Sequence, residues 1–487
     1  MLFNSLDFAI FLPIVFVIYW SLAKNVRLRN LFILAASYYF YGSWNWKFLS
    51  LIIISSIVDY YIGQKLGKEE SPKKRKLLLY GSLLVNLGFL VYFKYFNFFI
   101  ESFVDAFSLF GTQLNIETLN IILPVGISFY TFQTLSYTID IYKKKFQPTN
   151  DIIAFFTFVA FFPQLVAGPI ERASHLLPQF SKKYTFNYAQ VKSGILLILW
   201  GLFKKMVIAD RLAIVVNETF NNVDSYMGVE FIIGTIFFAF QIYCDFSGYS
   251  DIAIGISRTM GFDLMKNFER PYFSKSITEF WRRWHISLST WFRDYVYIPL
   301  GGSRKGEYRT YFNLFMVFFI SGIWHGAAMT FVIWGAIHGI IIVLEKVTSK
   351  QRKRFFESIK LTKKSIIGKL FFITITFTIV CFAWIFFRAN SAKDSWIIIE
   401  KIFSFQMGDI NIASDLGINA VEFYASFIFI ILMLGFEWFH YRINMATKLA
   451  RQHFTVRWGF YIAAAVVMII FGVYGSFKES EFIYFQF

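Results

Sequence analysis

Thr310-Y-F-N-L-F-M-V-F-F-I-S-G-I-W-H-G-A-A-M-T-F-V-I-W-G-A-I-H-G-I-I-I-V-Leu344 is an almost unbroken apolar run with a glycine-flanked histidine near its middle. As a single helix, its roughly 35 residues would extend about 52 Å, well past the ~30 Å of hydrocarbon in a bilayer. The run therefore breaks or turns back. Arg304, Lys305 and Arg309 precede it and Lys346 follows it; because positive loops stay on the cytoplasmic side, two passes are required. The weak point is Gly322-I-W-H-Gly326, where two glycines four apart allow close backbone approach or a helix break. His325 then lies about 24 Å of helix from the cytoplasmic end, deep in the membrane toward its outer half.

Composition extends this reading to the whole chain. Its 487 residues are 56% hydrophobic, 21% aromatic and only 16% charged, with a mean hydropathy of +0.52. That is an all-α polytopic membrane protein, not a soluble one. The net charge of +17 does not point to nucleic acid, because Lys and Arg crowd the short loops where they set topology and meet anionic lipid headgroups. Cys244 and Cys381 both lie inside apolar runs, so neither a disulfide framework nor a Cys-based metal site is expected. The stretch Met1-L-F-N-S-L-Asp7 lacks the basic region of a signal peptide.

Taken in order, the expected spans are Ser5–Leu22, Leu28–Trp44, Trp46–Ile62, Leu77–Phe96, Leu119–Tyr142, Gly194–Ala209 and Gly228–Phe246, then the two passes of the central run. Ile366–Phe387, Ala420–Phe439 and Trp458–Gly475 complete the set. The turn Gly42-S-W-N-Trp46 reads as a tight hairpin, and Asp151–Ile170, interrupted at Pro163 and Ala167-G-Pro169, as a re-entrant segment. Asp245 and Asp251 read as a satisfied polar turn at the interface or as acids facing the protein interior or an aqueous cavity. Basic residues after the first and third runs, at Lys143-K-Lys145 and across Lys346–Lys369, including Lys363 and Lys364, mark cytoplasmic loops. Both termini then lie outside, and Arg388–Asn419 is the largest outer segment. No repeat or linker divides the chain. One domain over 1–487 is expected, with a catalytic core over about 120–345.

From Ile277 the residues Ile277, Phe280, Trp281, Trp284, Leu288, Trp291 and Phe292 recur at three and four, one apolar stripe of a basic, Trp-rich helix at the cytoplasmic interface. His285 sits at the edge of that stripe and is aimed into the protein. A buried imidazole without a carboxylate partner is held neutral and can accept a proton, which suits a general base acting on a hydroxyl. Two other readings stay open: a packing histidine, and haem ligation by two histidines, which the different depths of His285 and His325 disfavour. His338, roughly 220° around a continuous helix from His325, is a poor partner for it. His175, His440 and His453 lie in or beside loops and read as structural.

Several motifs also carry a family resemblance. Pro271-Y-Phe273, Trp281-R-R-W-H-I-S-L-S-T-W-F-R-D-Y-V-Y-I-P-L-G-Gly302 and Ser321-G-I-W-H-G-Ala327 resemble the membrane-bound O-acyltransferase family, in its bacterial alginate O-acetyltransferase branch. Leu123-P-V-G-I-S-F-Y-T-F-Gln133, Phe161-F-P-Q-L-V-A-G-P-I-E-Arg172 and Phe482-I-Y-F-Q-Phe487 are similar to the same branch. The resemblance implies about ten to thirteen transmembrane helices with re-entrant segments, arranged as a ring around a central tunnel. It also implies that His325 is the catalytic histidine and His285 the second functional one. Trp281, Arg282, Ser321 and Trp324, which flank them, are candidate substrate contacts.

The function expected on this basis is transfer of a short acyl group, acetyl, from a cytoplasmic thioester such as acetyl-CoA toward an extracytoplasmic polysaccharide hydroxyl, with His325 as general base or transient acyl carrier and His285 orienting the donor or assisting protonation. The thioester is a substrate; no bound cofactor or metal is expected. A separate extracytoplasmic acetyltransferase protein is the expected partner, with membrane lipids around the chain, in the plasma (inner) membrane. D-alanyl transfer to a cell-envelope polymer is the nearest alternative. A lipid or polysaccharide transporter, from a different class, would show inverted repeats and paired intramembrane charges, which the sequence does not display.

Overall fold

The computed structural model describes residues 1–108, 118–119, 121–166, 168–362, 365–404, 416–443, 448–449, 451–474 and 482–483. Every regular element among them is helical. Seven helices are long and apolar enough to cross a membrane, and Leu6–Leu22 and Ile152–Leu165 are shorter apolar ones. The described residues form two compact units: Met1–Ile198 with Ser250–Lys266 and Thr290–Val296, and Leu199–Tyr249 with Asn267–Ser289 and Tyr297–Phe487.

In the first unit, helix α1 (Leu6–Leu22) starts at Ser5, whose hydroxyl accepts from the Phe8 N–H at 3.2 Å. Asn25 caps α2 (Val26–Lys68) in the same way, and the single extended residue Asn45 (φ −159°, ψ 108°) breaks α2 inside the expected Gly42–Trp46 turn. Helix α3 (Pro72–Leu90) opens on proline and passes through a π-helical turn, Val91–Tyr95, into α4 (Phe96–Ser108). Helix α5 (Ile127–Tyr142) is shorter than the Leu119–Tyr142 span expected, because Gly126 turns the chain at φ 75°, where a Cβ would meet the Leu165 carbonyl oxygen at 2.7 Å. Helices α6 (Ile152–Ala160) and α7 (Phe162–Leu165) are separated by Phe161, two residues ahead of Pro163, and Ala154–Phe162 is buried almost throughout. Together they reach only about 21 Å, too short to span, so their irregular backbone is tolerated by burial in protein, as in a re-entrant segment.

Polar side chains join these helices. Asp59 of α2 is fully buried and accepts from Ser82 Oγ at 2.5 Å and Asn86 Nδ2 at 2.8 Å, both on α3. Thr134 of α5 donates to Asn86 Oδ1 at 3.2 Å. Arg75 donates to the carbonyls of Leu66, Glu69, Ile141 and Tyr142 at the C-terminal ends of α2 and α5. A guanidinium is suited to this, since it has five donors and its charge offsets the negative helix ends. Short α8 (Ala173–Leu176) carries His175, whose Nδ1 lies 2.7 Å from buried Glu171.

Helix α9 (Tyr188–Leu202) runs through a π-helical stretch, Phe203–Ala209, into α10 (Asp210–Asn221). In the second unit the extra residue of that stretch accompanies a buried cation: Lys205 Nζ lies 2.8 Å from Asp210 and 2.7 Å from Asp245. Asp245 belongs to α11 (Gly228–Thr259), which is helical through the whole Cys244–Asp251 stretch. This overturns the polar-turn reading of Asp245 and supplies the paired buried charges that the sequence did not display. The amphipathic segment resolves into α12 (Ile277–Arg283) and α13 (Ile286–Phe292), not one helix.

The central run turns back as expected, into α14 (Glu307–His325) and α15 (Met329–Val347). The break falls at Gly326-A-Ala328, immediately after the histidine. Gly322 of α14 and Gly335 of α15 pack backbone on backbone: a Cβ on Gly322 would lie 2.4 Å from the Phe331 carbonyl oxygen and 3.0 Å from Gly335 Cα. Helices α16 (Ser349–Ser358), α17 (Ile366–Arg388), α18 (Ala392–Phe403), α19 (Ala420–Ile443) and α20 (Phe454–Phe471) complete the unit. Ala167, Lys363, Lys364, 405–415 of the expected outer segment, and 475–481 and 484–487 of the tail lie outside the described residues.

Candidate functional site

His285 is the residue at which the amphipathic segment breaks. Its φ of 43° is left-handed, a conformation uncommon outside glycine though more often tolerated by Asn, Asp and His. Asn267 holds it there. The Asn267 carbonyl accepts from the Ile286 N–H at 2.8 Å, and its side-chain oxygen takes the Ser287 N–H at 3.3 Å, the Ser287 hydroxyl at 2.9 Å and His285 Nδ1 at 3.1 Å. A backbone N–H only donates, so the atom of Asn267 that meets it is the oxygen. His285 Nδ1 is therefore the protonated nitrogen, and the lone pair of the neutral ring is on Nε2. Burial pushes this imidazole down to about 3, so it stays neutral at physiological pH. Phe246 packs edge-on against it at 4.6 Å.

His325 is the last residue of α14 and is buried. Its ring lies 4.9 Å from Trp324, 4.9 Å from Trp334 and 5.4 Å from Phe387. Trp324 also packs on His285, with ring centroids 6.4 Å apart. One indole thus contacts both predicted histidines, which the sequence separates by 40 positions. Ser321 is buried one turn before His325, and Trp281 is buried, whereas Arg282 is exposed.

Sequence reasoning set His338 aside on the premise of a continuous helix, and the hairpin removes that premise. Its ring lies 5.0 Å from both Trp281 and Trp334, so Trp334 packs on His338 and on His325 alike. Asn267 was missed too. The available signal was its place four residues before Pro271-Y-Phe273, a stretch already singled out.

Residues 149–387 match the model of the membrane-bound O-acyltransferase family. Over its whole length the chain is 37% identical to a probable alginate O-acetylase of Pseudomonas putida, all of which it covers. It is 37% identical to a peptidoglycan O-acetyltransferase of Helicobacter pylori, over 82% of this chain and 79% of that one. To a teichoic acid D-alanyltransferase of Bacillus subtilis it is 28% identical, over 56% of this chain and 70% of that one.

Proposed function

Because the chain belongs to the membrane-bound O-acyltransferase family, we propose that it passes an acetyl group from a cytoplasmic thioester across the membrane toward an extracytoplasmic polysaccharide hydroxyl, with His325 as general base. That it is a multi-pass membrane acyltransferase follows from the family and its apolar helices. The observation that carries the assignment of His325 is its position: a buried imidazole at the end of α14, held by a glycine-tight hairpin within an aromatic cage. A ring nitrogen placed there can take the proton of an attacking hydroxyl.

The chemistry balances simply. The attacking hydroxyl oxygen forms a bond to the thioester carbonyl carbon while His325 takes its proton. The carbon–sulfur bond then breaks, and the thiolate leaves with that proton. His285, with its lone pair on Nε2, orients the donor or assists the leaving sulfur. Acetyl is favoured over D-alanyl because the likeness to the alginate O-acetylase is full-length and that to the D-alanyltransferase is partial.

The chain sits in the plasma membrane with both termini outside, and a separate extracytoplasmic acetyltransferase completes delivery to the polymer. The largest expected outer segment, about 30 residues, is too small to build an independent core for gripping a polysaccharide. His325→Ala is expected to abolish incorporation of labelled acetyl while the protein still purifies as a monodisperse species; full retained activity refutes the assignment. Reconstituted protein with acetyl-CoA is expected to hydrolyse donor slowly and leave polymer unmodified until the partner is added. Acetylation of mature polymer by the protein alone, at the cellular rate, refutes the partner. Cysteines placed at Lys74 and Lys353 are expected to label only once the cytoplasm is opened, and one at Ser480 from outside.

A further inference from the structure

We infer that His338 is a third working histidine, a fixed N–H donor that, with the indole N–H of Trp334, holds the carbonyl oxygen of the acyl group beside His325. This deepens the acyl-transfer reading and rests on it. The indole N–H of Trp281 donates to His338 Nδ1 at 3.3 Å. An indole nitrogen can only donate, so Nδ1 is the acceptor and the single proton of the neutral ring is on Nε2. His338 and Trp334 are both fully buried. Neither the Nε2–H of His338 nor the indole N–H of Trp334 has a hydrogen-bond partner among the described residues.

Folded interiors leave few donors in this condition. These two stand four residues apart on one face of α15, rings 5.0 Å apart, and the Trp334 ring is itself 4.9 Å from His325. Two buried donors side by side next to the proposed base call for an oxygen that accepts. An acyl carbonyl supplies one. As the hydroxyl oxygen adds to the carbonyl carbon, the C=O electron pair moves onto oxygen and both hydrogen bonds strengthen; no proton leaves Nε2 and no bond to His338 forms.

The test uses the full-length protein in nanodiscs with acetyl-CoA as probe. His338→Leu removes the donor, and His338→Gln keeps an N–H donor together with an oxygen to receive the Trp281 indole. Loss of an oxyanion donor typically lowers kcat by about 10² to 10³, so His338→Leu is expected to fall in that range with KM for acetyl-CoA changed by no more than about threefold, and His338→Gln to recover at least about a tenth of the parent rate. Trp281→Phe combined with His338→Leu, which leaves no stranded indole donor, is expected to show the same kcat loss at the parent thermal midpoint. With carbonyl-labelled acetyl-CoA, the infrared carbonyl stretch of the bound thioester is expected to lie below its solution value in the parent and in His338→Gln, and to return toward it in His338→Leu.

Equal losses in the Leu and Gln variants overturn the proposal, as does a carbonyl stretch that is the same in all three, the sign that the donors hold only water. An active His325→Ala variant overturns the base assignment instead. An inactive His325→Ala alongside an unimpaired His338→Leu overturns this one alone.

Discussion

Replacing Asn267 with alanine isolates the element that sets His285. The change leaves the Asn267 backbone carbonyl, and hence its bond to the Ile286 N–H, in place. It removes the one oxygen shared by His285 Nδ1, the Ser287 N–H and the Ser287 hydroxyl at 3.1, 3.3 and 2.9 Å. His285, Ser287 and Asn267 are all buried, so water does not readily replace that acceptor. A lost buried acceptor costs about 1–3 kcal/mol. Part of the relaxation that follows is a swing of His285 out of its left-handed φ of 43°, which the Asn267 bonds favour. A displacement near 1 Å at a catalytic group lowers turnover by about 10²-fold. Asn267→Ala is therefore expected to lose about that much acetyl transfer and several degrees of thermal midpoint in nanodiscs. Asn267→Asp keeps an acceptor and is expected to retain the Nδ1–H ring, while its carboxylate raises the His285 pKa and moves the acid limb of the rate profile upward. An Asn267→Ala protein with the parent's rate and midpoint refutes the account of how His285 is held.

Gly322→Ala places a methyl 2.4 Å from the Phe331 carbonyl oxygen; overpacking of that kind costs about 1–3 kcal/mol, and the opened hairpin should displace His325 and cut turnover with little change in KM. Unaltered kcat in that variant contradicts the tight-hairpin argument. His285 titrates near 6.5 when unfolded and near 3 when folded. The unfolded chain thus binds the extra proton between those values, and the folded state loses about 2 kcal/mol as pH falls from 6.5 to 5. Thermal midpoints measured from pH 7 to 5 should fall more steeply for the parent than for His285→Gln, and parallel slopes contradict the assignment. Lys205→Met strands Asp210 and Asp245 beside each other, and breaking a buried pair costs about 3–5 kcal/mol. Expression and midpoint should collapse in that variant and recover when both carboxylates are also made Asn; a stable single variant argues that the site is hydrated.

What the sequence made legible was set by quantities that do not depend on tertiary contacts. The break in Thr310–Leu344 follows from length against bilayer thickness, and Gly322 as its crossing point follows from the absence of a Cβ; both are present in α14 and α15. The break at His285 was hidden for the converse reason. One left-handed residue leaves the three-and-four spacing of Phe280, Trp281, Trp284 and Leu288 intact, so the apolar stripe reads as continuous across a helix that is not. Lys205 and Asp245 are 40 positions apart, and no local pattern states that they meet. Their pairing is recorded only in the packing of the helices that bear them.

The two histidines with assigned tautomers show how amide and indole neighbours fix a ring proton. His285 carries its proton on Nδ1 because Asn267 must present oxygen to the Ser287 N–H, and His338 carries its proton on Nε2 because the Trp281 indole must donate. The assignments are opposite, and each is forced by a neighbour with a single possible role. A carboxylate in either place would stabilise imidazolium and weaken the ring as a base near neutral pH. Amide and indole partners orient the rings without that charge. Neutral imidazoles buried among Trp324, Trp334 and Phe246 can then exchange or hold a proton while the surroundings remain apolar. A hydroxyl attacking a thioester needs that combination, since water admitted to solvate charged groups would compete with the hydroxyl for the acyl carbon.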